Sequence, residues 1–424
     1  MKILYEVSNL GLGSIGSKNR AGIFRYTESI LEKISLYPEI EFQLTCYTNF
    51  YNSVFLKQYL ANEKIEWSDK FIDAYYRQIQ PVELYAKTLN NIHQNESRDI
   101  FNKAKRKSQT IFLNFLESLS QASTINEPFD IYHSFFHQLP AQSKIRTKAR
   151  IITIYDMIPL LMPQYFNKGF ENIFLKILRS IDINQDWVLA ISESTKKDFC
   201  DFSKMPEERV FVTPLASSEK FYQELDTAKI EATCQRYKIP SSKYILGLST
   251  LEPRKNNVTL INCFYKLILE NAITDTYLVL VGSKGWLFDD IFRTAAKQPQ
   301  LLDKIIFTGY IQDSDLSAIY SGASCFVYPS FYEGFGLPPL EAMQCGVPVI
   351  SSNTSSLPEV VGDAGILIDP KDKDQLCQAM LNILTDESLR ENLKQKGLER
   401  AKQFSWKKCA DQTVEIYKKI IDSK

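Results

Sequence analysis

The chain has 424 residues, with 50 basic and 50 acidic side chains and a hydrophobic fraction of 44%. This length exceeds what one hydrophobic core usually supports, so two domains are predicted. A formal net charge of zero argues against a nucleic-acid-binding protein, which usually has a large basic excess. No run of eighteen apolar residues occurs, so no membrane-spanning helix is predicted.

The first residues, Met1 to Val7, have the pattern of a strand and lack the long apolar stretch of a signal peptide. We therefore expect a cytoplasmic protein. Its eight cysteines include no CxxC pair, and they are expected to be reduced and not to bind metal.

Short β-branched runs alternate with longer helical patterns, which predicts an α/β fold of parallel sheets covered by helices. Strands are predicted at 2–7, 42–47, 131–134, 151–155 and 188–191, then at 244–248, 277–281, 305–308, 325–328 and 347–351. Helices are predicted at 23–35, 258–270 and 315–321. The pattern divides into one lobe over residues 1–215 and a second over 216–405.

The polar segment over about 54–125 has no predicted place in either lobe. Its basic residues Lys103, Lys105, Arg106 and Lys107 are interpreted as a solvated helix face, with contact to a membrane surface as the minority reading.

A G-x-G-x-x-G pattern follows the first strand, from Gly11 to Gly16. A dinucleotide site is disfavoured, because the next helix is not expected before Gly22 and the second strand ends in Thr48 and Asn49 without a carboxylate. Two readings stay open: a plain surface loop, or a loop whose amides approach an anion or sugar. Gly16 and Gly22 are therefore candidate substrate-binding residues.

A short helix is predicted after the strand that ends at Tyr328. Gly334 and Gly336 form the loop, prolines at 338 and 339 suit the first helical turn, and Gly346 ends the helix. The unpaired amides and positive dipole of its N-terminus predict an anion site.

Two glutamates accompany this predicted anion site. Glu333 lies in the loop and Glu341 is expected in the first helical turn. A carboxylate beside a phosphate site suits a ligand with hydroxyl groups, which donate to it. A first-turn acid that favours the helix dipole would explain Glu341 alone, but not Glu333.

A pair of cations, Arg254 and Lys255, follows Pro253 at the end of another predicted strand. In an α/β lobe, ligands bind at this end of the strands. A guanidinium and an ammonium there suit a diphosphate leaving group, whose negative charge grows as a glycosidic bond breaks. Together with the two glutamates, they predict a nucleotide-sugar site.

The E-x7-E spacing of Glu333 and Glu341, together with the run from Glu252 to Asn256, resembles family 4 of the retaining glycosyltransferases (glycosyl transferases group 1). The resemblance extends over the second lobe, through 280–286, 307–310 and 357–363, and is thinner in the first. It implies the GT-B fold, two Rossmann-like parallel-sheet lobes facing across a cleft. It also implies that a C-terminal segment, residues 406–424, crosses back onto the first lobe.

The resemblance implies roles for individual residues. Glu333 would bind donor-sugar hydroxyls and Glu341 ribose hydroxyls, while Arg254 and Lys255 would bind the diphosphate. Further substrate contacts are implied at Ser249, Tyr310, Ile311, Phe335, Gly336 and Leu337. Ser249 stands where many members have glycine, and Tyr155 where many have histidine before Asp156.

His133 matches a strand-end histidine that faces the transferred sugar in the family, so it is a candidate catalytic residue, with His137 in reserve. Asp313 and Asp315 form a D-x-D, which elsewhere binds a metal diphosphate. Here the D-x-D opens a predicted helix, and helix capping explains it. No metal and no cofactor are predicted.

The implied activity is metal-independent, retaining transfer of a hexose to a hydroxyl of a polysaccharide or lipid-linked oligosaccharide. UDP-glucose is named as donor on frequency alone. The expected partners are a nucleotide sugar and a saccharide acceptor, with a peripheral membrane contact and no nucleic acid. Alternatives are a nucleotide-sugar epimerase, a phosphorylase on a similar fold, for which no pyridoxal-phosphate lysine is found, or a non-catalytic nucleotide-sugar-binding protein.

Overall fold

Two parallel sheets organise the chain in a computed structural model that describes residues 1–13, 22–47, 50–62, 67–75, 122–166, 168–271 and 273–424. The first sheet has the strand order β3-β2-β1-β4-β5-β6-β7. Its strands are Lys2–Glu6 (β1), Glu41–Thr45 (β2), Phe71–Ile72 (β3), Ile125–Ser134 (β4), Ile145–Ile154 (β5), Trp187–Ala190 (β6) and Val210–Val212 (β7).

The second sheet has the order β10-β9-β8-β11-β12-β13, and neighbouring strands are parallel in both sheets. Its strands are Lys243–Leu248 (β8), Thr276–Val281 (β9), Ile305–Gly309 (β10), Cys325–Tyr328 (β11), Val349–Ser352 (β12) and Gly365–Ile368 (β13). These sheets confirm the predicted α/β class.

Helices cover the sheets. They are Ser8–Gly13 (α1), Ile23–Ile34 (α2), Phe50–Asn62 (α3), Ile158–Leu161 (α4), Phe170–Arg179 (α5), Glu193–Ser203 (α6), Thr227–Arg236 (α7), Asn257–Asn271 (α8), Asp289–Ala295 (α9), Asp313–Ser321 (α10), Leu337–Gln344 (α11), Leu357–Val361 (α12), Lys373–Thr385 (α13), Glu387–Ala401 (α14) and Trp406–Asp422 (α15). None of the helices in the described ranges is both long and apolar enough to cross a bilayer. All eight cysteines are free and buried.

The beginning of the glycine pattern is helical, so the prediction of a loop directly after β1 is wrong. Gly11 lies in α1, where a Cβ would come within 2.8 Å of the Leu56 amide nitrogen of α3. Its missing side chain therefore permits close packing of two helices. Gly16 and the basic group at 103–107 lie outside the described residues, so the interpretations placed on them stay predictions.

The last helix, α15, packs on the first sheet although it follows the second in sequence. The Trp406 ring lies 6.0 Å from the Tyr26 ring of α2, and Lys418 pairs with Glu39 at 3.0 Å. The chain thus returns to the first sheet at its end, as the resemblance implied, while the exact domain boundaries stay a prediction.

The strand order of the second sheet indicates where a ligand-binding crevice lies. The order reverses between β8 and β11, which are adjacent although far apart in sequence. Helices that leave such strands in opposite directions open a crevice at their carboxyl ends, where ligands bind in α/β proteins.

Candidate active site

Two cations lie at the carboxyl end of β8. A short 3₁₀ turn, Pro253–Lys255, carries both, and Asn256 closes it with φ 58°. The Arg254 guanidinium pairs with Glu252 at 2.8 Å and donates to the Tyr332 carbonyl at 2.5 Å. The turn therefore aims both cations toward the loop that follows β11.

Glu333, in that loop, is the centre of the cluster. It pairs with Lys255 at 2.6 Å and with Arg254 at 3.0 Å, and it accepts hydrogen bonds from the hydroxyls of Tyr328 and Ser330 at 2.9 and 2.5 Å. Burial alone would raise the pKa of Glu333, but the two cations outweigh it and hold that pKa at about 2. The carboxylate is therefore ionised and can accept from a further hydroxyl.

Burial acts on Lys255 as well and lowers its pKa, while Glu333 opposes that shift. The side chains of Arg254, Lys255 and Glu333 are only 10–12% exposed. A charge cluster so shielded from water acts strongly on any anion that enters it.

Helix α11 begins beside this cluster, as predicted. Gly336 precedes it with φ 123°, and prolines occupy positions 338 and 339. Phe335, Gly336 and Leu337 thus lie at the helix N-terminus, where backbone amides have no partner within the helix. This confirms the predicted helix, while its binding of an anion stays a prediction.

Glu341 is the fifth residue of α11, so its expected place in the first turn is wrong. The helix begins one residue before the two prolines. Glu341 accepts from the Tyr320 hydroxyl at 3.0 Å and lies 3.5 Å from Arg25 of α2. Burial raises its pKa, against the charge of Arg25. A dipole explanation for Glu341 therefore fails, and a ligand role stays open.

The other residues predicted in the second lobe lie at the same sheet edge. Ser249 follows β8. Its carbonyl oxygen lies so close to Gly282 that a Cβ on residue 282 would come within 1.9 Å of it. Tyr310 and Ile311 follow β10; the first is 42% exposed and the second is buried. These residues thus lie at the same carboxyl edge of the sheet as the cation cluster, and their substrate contacts stay predictions.

His133 does not face this site, which corrects its prediction as a catalytic residue. It is fully buried in β4, with one ring nitrogen 2.5 Å from the Tyr417 hydroxyl and the other 2.9 Å from the Thr153 hydroxyl. Burial lowers its pKa to about 3. Both nitrogens are therefore engaged inside the first lobe.

His137 and Gly22 are the other candidate site residues of the first lobe that the structure describes. His137, the reserve candidate, has a buried Nε2 without a hydrogen-bond partner. Gly22 is exposed at the start of α2 with φ 49°. Neither contacts the cation cluster through a contact that the structure shows, and their roles stay predictions.

Asp156, which sequence analysis noted only as part of a motif, is a first-lobe carboxyl at the cluster. It follows β5, accepts from the Ile158 amide at 2.9 Å and has its pKa raised by burial, against the charge of Arg254. A Cβ on Gly334 would come within 2.1 Å of the Tyr155 carbonyl oxygen. The sequence could have indicated Asp156 as a site residue, because it lies at the end of a parallel strand.

The D-x-D residues open α10 and lie in its first turn, as predicted, but neither is the capping residue. Gln312 is the N-cap, without a side-chain capping bond. Asp313 pairs with Arg25 at 2.6 Å, and Asp315 accepts from Arg236 and Tyr237, each at 2.7 Å. Across the described ranges, no group of three or more potential ligands is placed to hold a metal ion.

Two facing parallel sheets with a charged crevice at one switch point define the architecture of a GT-B glycosyltransferase. Sucrose-phosphate synthase (tll1590) from Thermosynechococcus elongatus superposes over 100% of this chain and 99% of its own, with TM-score 0.65 and 19% identity. WaaG, a glycosyltransferase involved in lipopolysaccharide biosynthesis, superposes over 98% of this chain and 99% of its own, with TM-score 0.63 and 13% identity. These similarities show the fold.

Sequence comparison gives the family. The model described as glycosyl transferases group 1 matches residues 230–400. O-antigen chain mannosyltransferase B of Escherichia coli is 37% identical over 288 residues, 68% of this chain and 74% of that protein. The chain belongs to the group 1 glycosyl transferases. Serotype-specific mannosyltransferase WbdA of Escherichia coli is 30% identical over 73% of this chain, which spans 37% of WbdA.

Proposed function

We propose that this glycosyltransferase moves a mannosyl group from a nucleoside-diphosphate mannose to a hydroxyl of a surface-polysaccharide acceptor, with retention of configuration and without a metal ion. The observation that carries the proposal is the convergence of Arg254 and Lys255 on Glu333 at the switch point. Mannose replaces the glucose expected on frequency, because relatives are named as mannosyltransferases. The proposal retains a cytoplasmic location with peripheral contact to the membrane.

The diphosphate would bind where Arg254, Lys255 and the N-terminus of α11 converge. As the bond to the anomeric carbon breaks, negative charge grows on the departing diphosphate oxygen, and buried cations stabilise that charge more than they stabilise the bound donor. These cations would then stabilise the leaving diphosphate without a metal ion.

Glu333 would hold the hexose. It is ionised and already fixed by four polar partners, so a sugar hydroxyl can donate to it without reorganisation. Glu341 would accept from the ribose, farther along α11. The acceptor oxygen then bonds to the anomeric carbon on the face that the diphosphate leaves, and the hydroxyl proton departs with the diphosphate.

Two alternatives give different products. A nucleotide-sugar epimerase would convert the donor to an epimeric nucleotide sugar without glycosylating an acceptor, and a non-catalytic binding protein would leave the donor intact. The family relation favours transfer over both.

Donor turnover tests the proposal without knowledge of the acceptor. We expect GDP-mannose at 100 times its dissociation constant to stabilise the protein by about 2.7 kcal/mol relative to the free protein. UDP-glucose at the same concentration should stabilise it less. With chelator present, slow hydrolysis should release mannose whose first-formed anomer, followed by proton NMR, retains the donor configuration. An inverted anomer, or turnover that requires added magnesium or manganese, would contradict the proposal.

A further inference from the structure

The first turn of α6, in the first lobe, is completed by a carboxylate from the second lobe. Glu359 of α12 accepts from the Glu193 amide at 2.8 Å and from the Ser194 amide at 2.7 Å, one bond to each carboxylate oxygen. Ser192, the N-cap, accepts from the Thr195 amide at 3.0 Å. The first amides of a helix have no partner within it, and the positive end of the helix dipole favours an anion. The second lobe thus supplies the capping group that two of these amides need.

The same turn of α6 holds the loop that carries Glu333. Ser192 donates its hydroxyl hydrogen to the Gly334 carbonyl at 2.8 Å, and the Tyr332 hydroxyl donates to the Asp198 carboxylate. The residues directly before and directly after Glu333 are therefore both bonded to the first lobe. These two contacts, together with the two amide bonds to the carboxylate of α12, form what we call the α6 clasp.

Helix α12 connects Glu359 to the backbone of Glu333. Ser356, which directly precedes α12, donates to the Glu333 carbonyl at 2.9 Å, and the Ser355 hydroxyl accepts from the Glu333 amide at 2.9 Å. Because α12 has only five residues, the Glu359 carboxylate and these two hydroxyls belong to one short, internally bonded unit. The place of α12 against α6 therefore bears on the backbone of Glu333.

We propose that the α6 clasp positions Glu333 for the transfer step, with Glu359, Ser192 and Asp198 as positioning residues. Ser192 and Asp198 act through the chain neighbours of Glu333, and Glu359 acts by keeping α6 against α12. The inference rests on the proposed transferase function and adds residues that lie outside the donor cluster.

Donor binding and transfer should depend differently on the clasp. The Glu333 carboxylate has partners in its own lobe, Lys255 at 2.6 Å and Arg254 at 3.0 Å, so the charge cluster does not need α6 to form. Its exact place relative to the breaking bond depends on the loop, and a misplacement of about 1 Å can cost about 100-fold in rate. Loss of the clasp should therefore lower kcat and leave the affinity for GDP unchanged.

Glu359→Gln and Tyr332→Phe test the inference from the two ends of the clasp. A glutamine accepts through one oxygen only, and the phenylalanine lacks the hydroxyl that reaches Asp198. Each variant should lower kcat for GDP-mannose hydrolysis at saturating donor by at least about tenfold. The dissociation constant of GDP, measured by calorimetry, should stay within about twofold of the native value.

Two comparisons separate positioning from a general loss of structure. Glu193→Gln is the matched control, because it changes an exposed acid of the same turn of which the backbone amide is bonded to Glu359. It should keep native kcat. Asp198→Ala should lower kcat as Tyr332→Phe does, and Asp198→Asn, which keeps a carbonyl oxygen for the Tyr332 hydroxyl, should recover most of it.

Native kcat in both Glu359→Gln and Tyr332→Phe would overturn the inference, as would a lower melting temperature with unchanged kcat. An affinity for GDP that falls in step with kcat would assign the clasp to donor binding and overturn it as well. If Glu359→Gln does not fold, Tyr332→Phe and the two Asp198 variants decide. Absence of GDP-mannose turnover in the native protein would instead count against the proposed function on which the inference rests.

Discussion

The two sheets meet at their carboxyl-end edges but differ in charge. In the second sheet, Arg254, Lys255 and Glu333 are nearly buried and form one ion-pair cluster. In the first, the corresponding edge buries a neutral His133 and contributes the aliphatic and aromatic wall of a cavity. The difference indicates separate roles for the two lobes. The second lobe would bind the donor through charged groups, and the first would bind the acceptor through the shape of its cavity wall.

This division has a physical basis. A buried charge is tolerated only with partners, and the second edge links two acids and two bases through three ion pairs of 2.6, 2.8 and 3.0 Å. The histidine of the first edge stays unprotonated because burial lowers its pKa and its hydrogen-bond partners are neutral hydroxyls.

The largest effect is expected at the cations. Arg254→Ala should lower turnover at saturating donor about 100- to 1000-fold, because it removes charge aimed at the departing diphosphate. Lys255→Ala should do the same. Arg293→Ala, at a guanidinium that is 71% exposed, is the control and should be near native. Near-native turnover of both cluster variants would end their assignment to the donor.

His133 should matter for stability and not for turnover. Its pKa is about 3 in the folded protein, below its ordinary value of 6.5. Between pH 6.5 and pH 3 the unfolded chain therefore binds more protons than the folded protein does. As a result, the free energy of unfolding falls as the pH drops through this range. Between pH 7 and pH 5, the advantage of the native protein over His133→Gln should shrink by about 2 kcal/mol in urea unfolding.

Turnover of folded His133→Gln at pH 7 should stay within about twofold of native, since both ring nitrogens face the interior. A pH-independent stability difference combined with lost turnover would restore the catalytic reading of this histidine.

The two glutamates should separate donor binding from transfer. Glu341→Gln should raise the donor KM about tenfold with a smaller change in kcat, because ribose lies away from the breaking bond. Glu333→Gln should lower kcat more than it raises KM, because it contacts the reacting sugar. Equal effects of the two variants on free GDP affinity, measured by calorimetry, would contradict this separation.

The smallest effect is expected where the lobes touch. Arg25 opposes the upward shift of the Glu341 pKa, so Arg25→Gln should raise that pKa further and weaken GDP binding at pH 6 by about two- to fivefold, and less at pH 8. Lys33→Gln, also on α2 and paired with Glu219 at 3.5 Å, is the control. A pH-independent loss would point to direct contact of Arg25 with the nucleotide.

Local patterns predicted much of the fold. All ten predicted strands are present, and α11 begins beside Pro338 as turn chemistry requires. The strands β3, β7 and β13 were missed. Of these, β3 and β7 have only two and three residues, too few to show an alternating pattern. Strands β4 and β5 begin six residues earlier than predicted, where exposed polar residues interrupt the apolar run.

By itself, the sequence determined the sheets, the short helix α11 and the grouping of Arg254, Lys255 and Glu333, because those depend on residues close to strand ends. Only the tertiary structure decided their environments. Tyr417, 284 positions away, encloses His133, and Glu333 and Glu341 have pKa values shifted in opposite directions although they stand eight residues apart. Burial and charge depend on which distant segments pack together, and no local pattern encodes that.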